Sequence, residues 1–117
     1  MYKRVFRILI SLVFVVFYAQ AQAQDVDLAQ TLVIDVRTQE EWQDAHLDDA
    51  KLIPWEGIVA ETDKLGLDKK QAIALFCRSG NRAGKAMALL NAAGYSNVVN
   101  LGSLEQAAQA LEKPITH

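Results

Sequence analysis

Short apolar runs alternate along this chain with segments whose apolar residues recur at helical spacing. Thr31–Val36 (TLVIDV) is a β-branched run of the kind buried in a parallel sheet. Thr38-Gln39-Glu40-Glu41 then has the form of a capping box and opens a short helix carrying Trp42 and Ala45. Lys51–Ile53 reads as a short strand stopped by Pro54. Trp55–Glu61 reads as a helix and Lys64–Lys70 as a loop through Gly66. A second long apolar run, Ala72–Phe76, ends directly on Cys77. From about Arg82 to Ala93 the spacing of Ala83, Ala86, Met87, Leu89 and Leu90 predicts a helix, with Gly94 as the residue just past its end. Asn97–Leu101 is a further strand, and Gly102-Ser103 precedes a last helix through Leu111, ended near Pro114. Strands alternating with helices predict one α/β domain: a small parallel sheet with helices on both faces. Ligand sites in such sheets lie at the carboxyl ends of the strands, where Asp35, Cys77 and Leu101 fall.

The first two dozen residues stand apart from this alternation. Lys3, Arg4 and Arg7 precede an apolar stretch from Ile8 to Tyr18, and Ala19-Gln20-Ala21 and Ala21-Gln22-Ala23 offer small-x-small cleavage sites. This is the pattern of a secretory signal peptide over residues 1–23. The apolar stretch is too short for a permanent spanning helix, which needs about 20 residues. An exported protein is expected, most simply in a bacterial periplasm, with a flexible lead-in over residues 24–30 and the folded domain over 31–113. Cleavage after Ala23 would leave 9 basic and 14 acidic residues, a net charge of −5 against −2 for the whole chain. An acidic domain has no general affinity for nucleic acid or anionic membrane, so any anion site must be local.

The chain has a single cysteine. It cannot form an intramolecular disulfide, and with only His46 and His117 beside it there is no metal-ligand spacing. A lone cysteine in a small α/β domain is usually a buried small hydrophobe. The text after Cys77 argues otherwise. Arg78, Ser79, Gly80, Asn81 and Arg82 form a short turn, bracketed by Gly80 and Gly84, at the start of a helix. Inward-pointing amides, the positive end of a helix dipole and two guanidinium groups would all favour a thiolate there.

These residues, with Asp35-Val36-Arg37, Glu41-Trp42, Ala45-His46, Asp49-Ala50 and Ile53-Pro54 upstream, resemble the rhodanese family of sulfurtransferases. The resemblance runs from about Thr31 to Leu111 and is strongest to small, exported, single-domain members. It implies that the strand ending at Cys77 is central. It also implies transfer of sulfane sulfur, from thiosulfate or a persulfide donor, to a thiophilic acceptor such as cyanide or a thiol, through a persulfide on Cys77. The loop residues Arg78, Ser79, Gly80, Asn81 and Arg82 would bind the anionic donor. Asp35, Arg37 and His46 would support the site. No cofactor or metal and no nucleic-acid partner is implied, and a monomer is expected.

Arg82 follows Cys77 with four residues between, one fewer than the C-x5-R loop of cysteine phosphatases, and no C-x-x-C is present. A phosphatase or arsenate reductase is thereby the weaker reading. A non-catalytic sulfur carrier or interaction module is the main alternative. The chain departs from the family pattern at Ala45, Asp49 and Ser103, where glycine is usual, and lacks a tryptophan in the last helix. These departures fall outside the Cys77 loop.

Overall fold

The apolar runs become four parallel strands. The computed structural model describes residues 28–117. Strands β1 (Leu32–Asp35), β2 (Lys51–Leu52), β3 (Ile73–Cys77) and β4 (Val98–Ser103) lie in the order β2-β1-β3-β4. Four α-helices connect or follow them: α1 (Gln39–Asp44), α2 (Ile58–Lys64), α3 (Asn81–Ala92) and α4 (Leu104–Leu111). The strand that ends at Cys77 is thus an inner strand, paired with β1 through Asp35↔Phe76 and with β4 through Leu75↔Asn100. All five of its residues are buried, as a strand covered on both faces requires.

Alternation along β3 sorts its side chains into two cores. Ile73, Leu75 and Cys77 join Ile34, Val36, Ile53 and Ile58 with Ala83, Ala86 and Leu90 of α3. Phe76 faces the other way, against Leu47, Ala50 and the α4 residues Leu104, Ala107, Ala108 and Leu111, with Trp42 at the edge. Helices therefore cover both faces of the sheet. Each large apolar side chain so enclosed stabilises the fold by about 1.5–3 kcal/mol.

Local chemistry sets the ends of these elements. Thr38 caps α1 with both bonds of the capping box. A second box, which the sequence reading did not identify, caps α4: Ser103 Oγ accepts from the Gln106 amide and Gln106 Oε1 accepts from the Ser103 amide. Gly102, at φ 91°, precedes it, and a Cβ there would collide with Gln106 Oε1. Between β3 and β4 the register slips, with Leu75 opposite Asn100 but Cys77 opposite Ser103. β4 thus carries an extra residue at Leu101–Gly102, a bulge beside the end of the cysteine strand.

The helix expected over Trp55–Glu61 is two pieces: a 3-10 turn at Trp55–Gly57 and then α2, which runs on to Lys64. Pro54 starts the tight turn, and Gly57, at φ −104° and ψ 12°, breaks it from the helix. Leu28–Gln30, expected as loose lead-in, also forms a 3-10 turn, and the Gln30 carbonyl accepts from Gln71 Nε2. The expected signal peptide over residues 1–23 lies outside the described residues.

Candidate active site

β3 delivers Cys77 to the carboxyl edge of the sheet, and the chain turns at once into α3. The turn is possible because Gly80, the residue before the helix, adopts φ 90°. In that left-handed conformation, which glycine accepts at no steric cost, the Gly80 amide points back and donates to Cys77 Sγ at 2.9 Å. The sulfur sits at the floor of the loop with no exposed surface. Burial pushes its pKa up, but the amides of Ala83, Ser79, Gly80 and Arg82 oppose this, and the net direction is down. Cys77 is thus enclosed, as a structural cysteine would be. The amides that converge on its sulfur set it apart, because they stabilise an anion there.

The two arginines part company. Arg82, in the first turn of α3, reaches across to α1 and pairs with Glu41 through two hydrogen bonds, Nη1 to Oε1 at 2.6 Å and Nη2 to Oε2 at 2.8 Å. Its partnership with Arg82 holds the Glu41 carboxyl down at about 2, against an ordinary 4.5. Glu41 in turn raises the pKa of Arg82, with smaller contributions from Cys77 and Asp35. Arg82 therefore braces the loop against α1 while adding positive charge near the sulfur. Arg78 is exposed and makes no ion pair or hydrogen bond with the described residues. It lines a cavity of about 210 Å³ together with Arg37, Glu41, Asp44 and Glu105. Ser79 and Asn81 are exposed beside it.

The remaining residues singled out in the sequence stand behind the loop. Asp35, at the end of β1, is fully buried and accepts four hydrogen bonds from Arg37, the shortest from Nη2 at 2.7 Å. Arg37 Nη2 also donates to the Ala45 carbonyl at 2.7 Å, tying the end of α1 to the strand edge. His46 stacks on Trp42 with ring centroids 4.4 Å apart. One of its ring nitrogens lies 2.8 Å from the Trp42 carbonyl and the other 3.1 Å from Asp48. Its backbone bridges to Thr116 near the end of the chain. Neither His46 nor the Asp35–Arg37 pair makes a hydrogen bond to residues 77–82.

Two residues of the site were not identified as such from sequence. Glu41 was legible as half of a capping box and as part of the Glu41-Trp42 pair, but its bond to the loop depends on a partner 41 positions away. Asn100, on β4, holds the loop from the other side: its Nδ2 donates to the Gly80 carbonyl at 2.9 Å.

With this geometry in hand, comparison with known proteins is direct. The chain belongs to the rhodanese-like domain family, whose match spans residues 17–110. It is 32% identical over 75 residues to the thiosulfate sulfurtransferase PspE of Escherichia coli, covering 64% of this chain and 72% of that one. It is also 31% identical over 96 residues to the tRNA uridine(34) hydroxylase of Yersinia enterocolitica, covering 77% of this chain but only 27% of that larger protein. Among solved structures, a rhodanese with anions from E. coli aligns with a TM-score of 0.66 and 29% identity, covering 74% of this chain and 96% of its own. The rhodanese-like domain of the Anabaena Alr3790 protein aligns with a TM-score of 0.64 and 25% identity, covering 74% of this chain and 99% of its own.

Proposed function

We propose that this protein is an exported thiosulfate sulfurtransferase that works through a persulfide on Cys77. The observation that carries the reading is the cysteine loop itself: a sulfur at the end of an inner strand, with backbone amides converging on it. Membership of the rhodanese-like family and similarity to a thiosulfate sulfurtransferase support it.

In the first half-reaction the Cys77 thiolate attacks the outer sulfur of thiosulfate. A Cys77 S–S bond forms, the bond from that sulfur to the sulfonate sulfur breaks with its electron pair, and sulfite leaves. In the second, an acceptor such as cyanide attacks the terminal sulfur of the persulfide. Thiocyanate departs and the thiolate returns. Charge balances in each half, and no proton needs to move, so no general base is required. The amides of the loop stabilise the anionic sulfur in both resting states, which is preorganised electrostatic stabilisation. Arg78, the unpaired cation at the rim, attracts the dianionic donor to an otherwise acidic protein. Arg82 keeps the loop in shape through Glu41. Asp35 and Arg37 hold the neighbouring strand end, and His46 holds the segment after α1. The donor is a small anion, the acceptor a small or protein-borne thiophile, and the protein acts as a monomer.

Thiosulfate-dependent formation of thiocyanate from cyanide tests this reading. The wild-type protein turns over, and Cys77→Ser loses activity while keeping its thermal transition, because a hydroxyl is a far weaker nucleophile and no second cysteine exists. Appreciable turnover by Cys77→Ser would overturn the persulfide route. A sulfur carrier would take up one sulfur but fail to turn over with free cyanide.

A further inference from the structure

Asn100 lies on the edge strand, on the far side of β3 from Asp35 and Arg37, and is exposed, yet its side chain bonds at both ends beside the cysteine loop. Its Nδ2 donates to the Gly80 carbonyl, and its Oδ1 accepts from the Gly102 amide, both at 2.9 Å. The Gly80 carbonyl also accepts the first helical bond of α3, from the Gly84 amide at 2.9 Å. It is therefore fixed from two directions. Gly80 is the residue whose own amide donates to Cys77 Sγ. It sits in a left-handed conformation with no capping side chain of its own. The two glycines joined by Asn100 also pass closely: a Cβ on Gly80 would stand 3.2 Å from the Gly102 Cα. The extra residue of β4 brings the backbone to this position and leaves the Gly102 amide for Asn100 to satisfy.

We infer that Asn100 is a positioning residue: it clamps Gly80 to the bulge of β4 and so holds the loop amides on the Cys77 sulfur. It acts through Gly80 and does not itself touch the sulfur. A free glycine at φ 90° can rotate its flanking peptides at little steric cost, which would turn the amide away from the sulfur. The clamp removes that freedom from outside the loop, using a strand that follows the loop in sequence by some twenty residues. The functional weight of the inference rests on the sulfurtransferase reading, but the geometry and its test do not.

The test reads ionisation of Cys77 directly, by thiolate ultraviolet absorbance against a Cys77→Ser blank, in wild type, Asn100→Ala and Asn100→Asp. Cys77 is the only cysteine, so the signal belongs to it alone. Asn100→Ala removes both bonds. Its titration midpoint moves up by about half a unit to one unit, the size expected for loosening one hydrogen bond to an anion. The charged groups around the loop (Arg78, Arg82 with Glu41, and the Asp35–Arg37 pair) are unchanged, so the shift reports the amides. Asn100→Asp keeps an acceptor for the Gly102 amide but loses the donor to Gly80. Its added negative charge pushes the same way, so its midpoint lies at or above that of Asn100→Ala. If Asn100→Ala fails to fold, Asn100→Asp, which retains the bulge bond, carries the same test. A wild-type midpoint in either folded variant, whatever its thermal stability, would overturn the inference. Because no sulfur donor is present, a failure here is distinguishable from a failure of sulfur transfer.

Discussion

At the residue scale, the two arginines of the loop divide the work of one positive patch. The sequence made Arg78 the expected anchor of the donor and left Arg82 between that role and a brace for the loop; the structure commits Arg82 to Glu41 and leaves Arg78 at the rim with no ion pair among the described residues. Arg78→Ala is therefore expected to raise the KM for thiosulfate more than it lowers kcat, the signature of lost ground-state binding. One exposed charge acting on a small anion is worth up to about 1 kcal/mol at low ionic strength. The penalty shrinks as salt is added, because an exposed charge is screened. Thiosulfate titrations at low and high salt measure both. A KM unchanged at low salt would mean that the loop amides hold the donor alone.

At the element scale, the loop is held by elements that reach it by different routes. β3 supplies the sulfur, the turn and the first residues of α3 the amides, β4 a hold on Gly80 through Asn100, and α1 the brace through Glu41. The brace makes stability depend on pH in a defined direction. The Glu41 carboxyl titrates near 2 when folded, below its ordinary 4.5. The stabilisation from the pair is thus fully present above about pH 4.5 and is lost as pH falls towards 2. Both side chains keep some solvent contact, so after screening the pair is worth about 1 kcal/mol. Glu41→Gln should be less stable than wild type by that amount near neutral pH. The two proteins should converge on acidification, since the wild type loses what the variant already lacks. Thermal unfolding from pH 7 down to pH 2 checks this, and parallel curves would show that the pair is not the source.

What the sequence made legible at this scale follows the range of the interaction. β1 and β3 were readable because burial on both faces makes a strand a continuous apolar run, and α3 because burial imposes a period of 3.6 on a helix. Thr38 and Glu41 were readable as a cap because their partners are three residues apart. Cys77 with its glycine turn was readable because strand, turn and helix are consecutive. The Glu41–Arg82 pair and the Asn100–Gly80 bond were not, because nothing local says which side chains meet across the edge of a sheet. The bulge in β4 was hidden for the same reason. An extra residue in a strand shows only against its partner, and Asn100-Leu101-Gly102 alone reads as the end of a strand before a turn. The split at Gly57 was a matter of two local signals in conflict, with the tight turn after Pro54 prevailing over the helical spacing.

At the scale of the whole molecule, an acidic α/β domain carries the candidate site at the carboxyl edge of its sheet, and the N-terminal segment has the pattern expected of an export signal. Among the described residues no helix is long and apolar enough to cross a membrane. With Lys3, Arg4 and Arg7 ahead of the apolar Ile8–Tyr18 stretch, cleavage after Ala21 or Ala23 is expected. N-terminal sequencing of the protein recovered from its producing cells checks it: a mature chain beginning at Gln22 or Gln24 agrees, and one that retains Met1 does not.

The account of the molecule as a whole turns on one sulfur atom accepting another. Intact mass spectrometry of the protein after incubation with thiosulfate, followed by removal of excess donor, measures that event directly. The expected result is a gain of one sulfur atom per chain. Cys77→Ser lacks the gain, and cyanide reverses it in the wild-type protein. A wild-type protein that stays at its original mass, with Cys77 still free to alkylate, would contradict the central claim that the Cys77 loop exists to hold a persulfide.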